Sequence, residues 1–464
     1  MEPVVFKTKS RNTYLFSPSQ KIVLPISKSL FQELQNSMPT SHSKEYSVLL
    51  NNGYLEPYHV VLDRRLTPLD IKNSIRNLPQ VVFEMTTNCN LKCEYCCYGD
   101  GYTTFQNRKS GSIDLITAKT VLNYVAKIFA DNKFEECKQP FAISFYGGEP
   151  LMNFHVIKEI VEYANSIHFK GKNIFFTMTT NALLLKRYAA FLDMHNFKIL
   201  VSLDGAKKHD DYRRTPNGGT SFNTVYENLL YVKQYYPRLF SNIRFNSVYT
   251  DISDANEIID FFDREFGKSP QFSILHKSED GAIGQAKIRR MFKPLSIPKK
   301  HSMKPLLLME NPIHKRVFDL CVRLSNNVFY DEDDMIEVPN KIKFPTGTCI
   351  PFSKRMFITY DGKLHSCEKV NRDKPLGEVA DDEVKIYVEN ITKRFNRIFD
   401  NHAKICTHCY LQLCCTKCVL QNQDAQCHYL MTKQQFEEIL SQTYSYIEEN
   451  PEIVNLLKTN IAIK

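Results

Sequence analysis

Apolar and polar positions alternate along "TYLFSPSQKIVLPI", a period of two that predicts a β-hairpin turning at Ser17 to Ser19. The stretch "SKEYSVLLNNGYL" that follows predicts a short helix closed by Asn51, Asn52 and Gly53. From Val81 the pattern changes. Six short apolar runs, "VVFEMT", "FAISFYG", "IFFTMTTN", "KILVSLDG", "NIRFNSVYT" and "QFSIL", alternate with amphipathic stretches. Among the latter are "SIDLITAKTVLNYVAKIF", with Ser112 placed to cap it, and "SFNTVYENLLYVKQYY". Six strand-helix units predict an α/β fold, a parallel sheet or partial barrel. In such folds chemistry gathers where strands end and loops lead into helices. A Pro- and Lys-rich stretch from Lys277 to Phe344 is expected to be a connector with one helix around "HKRVFDLCVRL", and "QQFEEILSQTYSYIEE" predicts a closing helix.

Composition narrows the class. At 464 residues, 43% of them apolar, the chain can bury two or three cores. The formal charge of +9 is interspersed, with no dense basic arm, so no nucleic-acid partner is expected. No run reaches the roughly 20 apolar residues of a membrane-spanning helix, and "MEPVVFKTKSRNTYLF" lacks the plan of a signal peptide. A cytoplasmic protein away from membranes is the expectation. There its fourteen cysteines are kept reduced, so clustered ones are better metal ligands than disulfides.

The loop after the first long apolar run reads "TTNCNLKCEYCCYGD", with Cys89, Cys93 and Cys96 spaced C-x3-C-x2-C at a strand's C-terminal end. Three thiolates so placed can hold one corner of a cubane iron-sulfur cluster and leave its fourth iron open. A structural zinc site would instead close four ligands, usually from two C-x2-C pairs, and this loop offers no second pair. Cys97 is read as a buried thiol outside that set.

With Tyr95 as its aromatic, the motif C-x3-C-x-aromatic-C resembles the signature of radical S-adenosylmethionine enzymes. The resemblance implies that the open iron is chelated by the amino and carboxylate groups of S-adenosylmethionine. Electron transfer then yields a deoxyadenosyl radical that abstracts hydrogen. It also implies that "GGEP", with Gly147, Gly148 and Glu149, contacts the cofactor's amino group; glycines admit close backbone approach and a carboxylate can pair with an ammonium. Asn181, Ser202 and Asp204 at later strand ends resemble positions lining the cofactor site, and Arg244 could face its carboxylate.

Near the C-terminus, "CTHCYLQLCCTKC" looks at first like a zinc ribbon. Beside the first loop it resembles the SPASM domain of radical enzymes that modify peptides. Cys349 and Cys367 bracket Gly362 as C-x12-G-x4-C, with "YDGK" expected to turn a hairpin, and Cys406, Cys409, Cys415, Cys418 and Cys427 follow. The family's C-x2-C-x5-C-x3-C is short by one residue here, which leaves Cys414 or Cys415 as the third ligand, Cys415 preferred. The resemblance implies two auxiliary [4Fe-4S] clusters. Cys406, Cys409, Cys415 and Cys427 would hold one, and Cys349, Cys367 and Cys418 the other. Glu368, beside Cys367, stands where sulfatase-maturing relatives carry an aspartate base, and a carboxylate there could take a substrate proton.

The order of motifs most resembles the GG-Bacteroidales group of radical peptide maturases. The implied organisation is a PqqD-like peptide-recognition module over 1–78, a radical core of partial (β/α)6 type over 79–276, a connector over 277–344, a SPASM domain over 345–435 and a closing helix over 436–464. The small α+β module at the start would bind a precursor peptide's leader as an added strand. The implied activity is hydrogen abstraction from a ribosomally made peptide, giving a thioether or carbon-carbon crosslink, with ferredoxin or flavodoxin as electron donor. Two alternatives stand beside it: a sulfatase-type maturase making formylglycine from Cys or Ser, and a zinc-stabilised peptide-binding adaptor.

Overall fold

A computed structural model describes residues 1–20, 22–35, 43–59, 61–102, 108–131, 139–275, 286–293, 344, 350–410, 419–421, 427 and 430–451. Cys349, Cys414, Cys415, Cys418 and the helix expected at "HKRVFDLCVRL" lie outside them. The chain divides into two compact units, one of Met1–Arg65, Ser302–Thr348 and Asn396–Lys464, the other of Leu66–His301 and Cys349–Phe395.

In the first unit, β1 (Val4–Lys7), β2 (Thr13–Ser17) and β3 (Ile22–Pro25) form an antiparallel meander, with the expected turn between β2 and β3. Helices α1 (Lys28–Gln35) and α2 (Lys44–Asn51) follow. Ser43 caps α2 by accepting from Tyr46 N. Val4, Phe6 and Phe16 bury against Phe436 and Leu440 of the closing helix, Lys433–Glu449. Near that helix's C-terminal end, Glu448 accepts from Thr8, Asn12 and Tyr14 at 3.1, 2.9 and 2.8 Å.

The second unit opens with α3 (Pro68–Arg76), started by a Thr67–Asp70 capping box. All six expected strands are present: β4 (Gln80–Thr86), β5 (Gln139–Gly147), β6 (Lys172–Thr180), β7 (Lys198–Ser202), β8 (Ile243–Tyr249) and β9 (Pro270–Ile274), paired parallel in chain order. The helices between them include α4 (Leu115–Ala130), α5 (Phe154–Ser166), α6 (Leu185–Met194), α7 (Phe222–Tyr235), α8 (Pro237–Ser241) and α9 (Ala255–Phe266); α10 (Ala286–Met291) follows the last strand. Parallel strands covered by helices read as continuous apolar runs, and from Val81 onward every residue of β4 is buried. One of those buried residues is a carboxylate, Glu84.

The sheet does not stop at six strands. β10 (Met356–Ile358) pairs parallel with β4, and β11 (Lys363–His365), β12 (Gly377–Ala380) and β13 (Glu383–Ile386) continue antiparallel, giving ten strands in the order β13-β12-β11-β10-β4-β5-β6-β7-β8-β9. The hairpin expected at "YDGK" is β10–β11, and Gly362 takes the left-handed turn conformation there, φ +77°. After β13 comes α11 (Val388–Cys406), so the closing helix is α12. One local expectation fails. Ser112 does not cap α4: its hydroxyl donates to Thr86 Oγ1, and Asp114 caps instead by accepting from Thr117 N at 2.7 Å. Ser112 is held in an extended bridge to Thr86, too far ahead of the first helical turn to reach its amides.

Candidate active site

The cysteine loop begins where β4 ends and is fastened from three sides. Thr86 anchors its base: its hydroxyl donates to Gly111 O at 2.9 Å and accepts from Asn88 N. Along the loop, Lys92 N and Glu94 N donate to Arg214 O and Tyr212 O at 2.7 and 3.0 Å, so the connection after β7 templates the backbone between Cys89 and Cys96. From the end of β5, Gly148 N donates to Thr86 O and Glu149 N to Asn88 O, at 2.8 and 2.9 Å. This contact explains "GG". A Cβ on Gly148 would lie 2.1 Å from Asn88 O, and one on Gly147, at φ +139°, 2.3 Å from Thr86 O. The glycines admit the cysteine loop itself, whatever else they admit.

The thiols of Cys89, Cys93 and Cys96 lie close enough that a thiolate on one raises the others' pKa. Burial pushes Cys89 up to about 11 and Cys93 to about 12. A hydrogen bond from Cys97 brings Cys96 down to about 6 despite its burial. Leu91 N donates to Cys89 Sγ at 3.4 Å, and Asn181 Nδ2 approaches the same sulfur at 3.7 Å. Three soft thiols with donors aimed at one of them suit an iron-sulfur cluster. Among the described residues no three His, Cys, Asp or Glu side chains converge as on a single ion; thiolates that each take a different iron of a cubane need no such convergence.

The strand-end residues fall into two buried networks. Glu149, fully buried, accepts from Leu151 N, Thr180 Oγ1 and Asn181 N at 3.1, 2.7 and 2.8 Å. Burial outweighs these donors and lifts its pKa to about 7. Asp204, also fully buried, accepts from the Tyr95 hydroxyl, from Arg213 Nε and Nη2 at 3.1 and 2.9 Å, and from Val248 N at 2.8 Å. The neighbouring Asp210 is pushed up to about 8 by burial and then by the Asp204 charge. Asp204 therefore ties the loop's aromatic residue to β7 and β8, its oxygens already engaged by the protein. Ser202 is half-buried at the end of β7. Arg244 is placed elsewhere: it is the second residue of β8, exposed, at the strand's opposite end from the cysteine loop.

The structure adds residues that sequence reading missed. Glu84 sits between two guanidiniums, Arg108 Nη2 at 2.6 Å and Arg372 Nη1 and Nη2 at 2.8 and 2.9 Å. Arg108 stacks 3.9 Å above the Tyr98 ring, and Tyr98 donates to Glu368 O at 3.2 Å. The segment carrying Cys367 is thus joined to the cysteine loop. Glu368 itself pairs with Arg355 at 3.0 Å, and its charge, after burial, helps raise the pKa of Tyr146. Burial of Glu84 in an apolar run was the available signal, since a strand carboxylate needs a cationic partner.

In the first unit, hydrogen bonds link the turns that carry Cys406, Cys409 and Cys427. Cys409 N donates to Cys406 O, Met431 N to Cys409 Sγ at 3.4 Å, Tyr410 N to Met431 O, and Leu430 N to Cys427 O.

Comparison with known proteins fits this geometry. Residues 83–261 match the radical SAM superfamily. The chain is 28% identical over 164 residues to a cysteine-type anaerobic sulfatase-maturating enzyme of Clostridium novyi, covering 35% of this chain and 42% of that one. It is 26% identical over 229 residues to a radical SAM cyclopropyl synthase of Paramaledivibacter caminithermalis, covering 47% and 45%. The match thus spans less than half the length of either relative. A solved structure of native anSMEcpe with bound AdoMet and Kp18Cys peptide has the same fold, with a TM-score of 0.53 at 18% identity over 82% of this chain and 99% of that one. No described helix is long and apolar enough to cross a membrane. Over residues 83–261 the chain thus resembles the radical SAM superfamily, and its relatives there include a sulfatase-maturating enzyme and a cyclopropyl synthase.

Proposed function

We propose that this chain is a peptide-modifying radical enzyme: Cys89, Cys93 and Cys96 hold a [4Fe-4S] cluster with S-adenosylmethionine, and hydrogen is abstracted from a ribosomally made peptide to form a crosslink. When bound, the cluster supplies the electron that cleaves the sulfonium and produces the hydrogen-abstracting radical. The chain's own groups do the placing. Gly147 and Gly148 hold the loop against β5, Asp204 and Arg213 fix Tyr95, and Asn181 steadies Cys89.

The observation that carries the peptide reading is the join between the cysteine loop and the Cys367 segment, through Tyr98 to Glu368 and Glu84 to Arg372. It sets a second potential cluster ligand and a carboxylate beside the radical loop. Glu368 would take the proton of a substrate heteroatom as the new bond forms. Two auxiliary clusters at Cys349, Cys367, Cys418 and at Cys406, Cys409, Cys415, Cys427 would accept the substrate electron. The three-stranded module would hold the leader along a sheet edge.

Coexpression with a candidate ribosomal precursor peptide should give a product lighter by two hydrogens per crosslink. An unchanged mass alongside active release of deoxyadenosine would sink that substrate. A sulfatase-type maturase remains a second reading, favoured by the similarity to the Clostridium novyi enzyme; it would convert a Cys or Ser of a sulfatase peptide to formylglycine in the same assay. Metal analysis should find about twelve irons per chain for three cubane clusters and no zinc.

Glu149 gives a pH-dependent test. Its raised pKa, about 7, means that it is largely protonated in the free protein below neutrality. If it accepts from an N–H of the cofactor's amino group it does so best when ionised, so S-adenosylmethionine affinity should rise from pH 6 to pH 8. Glu149→Gln should weaken binding by about tenfold at pH 8 and flatten the profile. Equilibrium dialysis on the loaded protein checks both.

A further inference from the structure

Beside the cysteine loop, between the turn after Cys96 and the extended stretch Arg108–Ser110, lies a cavity of about 360 Å³. Arg108, Lys109, Asn88, Ser110 and Tyr98 contribute to its lining, with Asp100. That volume is within the range of small-ligand sites. None of the roles assigned above uses it as a binding space.

Its wall carries an excess of positive charge. Glu84 supplies one carboxylate to two guanidiniums, Arg108 and Arg372, so the buried triad keeps one cation in surplus. At the rim, exposed Lys109 and Asp100 offset each other, and the surplus behind them remains. Arg108 is built rather than incidental. Its side chain is 9% exposed, held by Glu84 and by Thr87 O at 3.4 Å and stacked on Tyr98. Ser110 Oγ donates to Asn88 Oδ1 at 2.8 Å, which fixes a neutral polar side next to the cation. Aromatic below, cation at the wall and polar groups around are the chemistry that receives a carboxylate.

Resting on the reading of a peptide substrate, we infer that this cavity is a specificity subsite for a carboxylate of that peptide, an acidic side chain or its C-terminus, seated beside the radical loop on Arg108 and Lys109. The site sets which residue of the peptide is presented by gripping an anionic neighbour.

The test uses the full chain, anaerobically loaded with iron and sulfide, and calorimetric titration with acetylated pentapeptides. A central Asp with an amidated end should bind at least about tenfold tighter than the same peptide with Asn, as for a charge-assisted contact replaced by a neutral one. Arg108→Gln should bring the two within about twofold, a loss of the charge-assisted term. Because Arg108 also supports Glu84, the exposed Lys109→Glu serves as a second variant: it should weaken the Asp peptide and leave the Asn peptide unchanged. If an all-Ala peptide with a free C-terminus replaces the Asp peptide in this pattern, the site stands and its ligand is the main-chain carboxylate. If N-acetylaspartate N-methylamide binds in an Arg108- and Lys109-dependent way but no pentapeptide does, the subsite stands and the peptide reading falls. Equal affinity for Asp and Asn peptides, or an Asp preference that survives both substitutions, overturns the subsite while leaving the peptide reading untouched.

Discussion

Gly148→Ala should yield a folded protein that cannot load its radical cluster. The added methyl would sit 2.1 Å from Asn88 O, 2.5 Å from Asn88 C and 2.7 Å from Thr87 O, all backbone atoms that cannot swing aside as a side chain would. Relief requires the strand end and the cysteine loop to part, which breaks the bonds from Gly148 N to Thr86 O and from Glu149 N to Asn88 O. Cys89 follows Asn88 directly and moves with it. Displacement of about 1 Å in a positioning group can cost 10²-fold in rate, so S-adenosylmethionine cleavage should fall by about that factor or more. Iron content should drop by about four per chain, one cubane's worth. Gly219→Ala is the comparison, since its methyl would meet only the Thr215 hydroxyl, at 3.2 Å, and both properties should survive. Full iron loading in Gly148→Ala would show that the loop tolerates the shift and that the glycines serve a ligand instead.

The strands were legible because their code is local. Each of the six apolar runs became a strand, and Ser43 and Gly362 fell where their backbone preferences put them. The cysteine loop was legible from spacing at a strand end. What stayed hidden is pairing between distant residues. "VVFEMT" announces a buried strand but not that Glu84 meets Arg108 and Arg372, the latter 288 positions away. Asp204 was visible as a strand-end acid, yet its partners Tyr95 and Arg213 depend on how the loops after β4 and β7 lie together. Arg244 shows the converse error. A charged residue in a strand was read as facing the site, but its place in β8 is at the exposed, distant end, where a strand meets solvent rather than a loop. β12 and β13 were missed because four-residue strands at a sheet edge, "GEVA" and "EVKI", carry too few apolar positions to show a period.

Glu84→Gln should be the most destabilising single substitution outside the apolar core. The carboxylate is fully buried and the side chains of Arg108 and Arg372 are 9% and 18% exposed, so its removal strands two guanidiniums with little water to receive them. Breaking a buried pair by taking one partner costs about 3–5 kcal/mol, mostly the penalty of the charge left behind. Urea unfolding of the metal-free protein should report that loss. The triple substitution Glu84→Met, Arg108→Met, Arg372→Met should recover most of it, since apolar replacement of a whole buried ionic set is often neutral. Catalysis should not recover with stability. Arg108 holds the Tyr98 ring, Tyr98 holds the Glu368 backbone, and Arg372 lies on the segment after Cys367, so the triple variant keeps its fold but loses what aligns that segment with the radical loop. Stability restored with substrate turnover still lost, while S-adenosylmethionine cleavage without substrate persists, would show that the network serves the substrate step and not only the fold. A loss under about 1 kcal/mol in Glu84→Gln, the range of exposed pairs, would mean the guanidiniums reach solvent and the join is not held by charge.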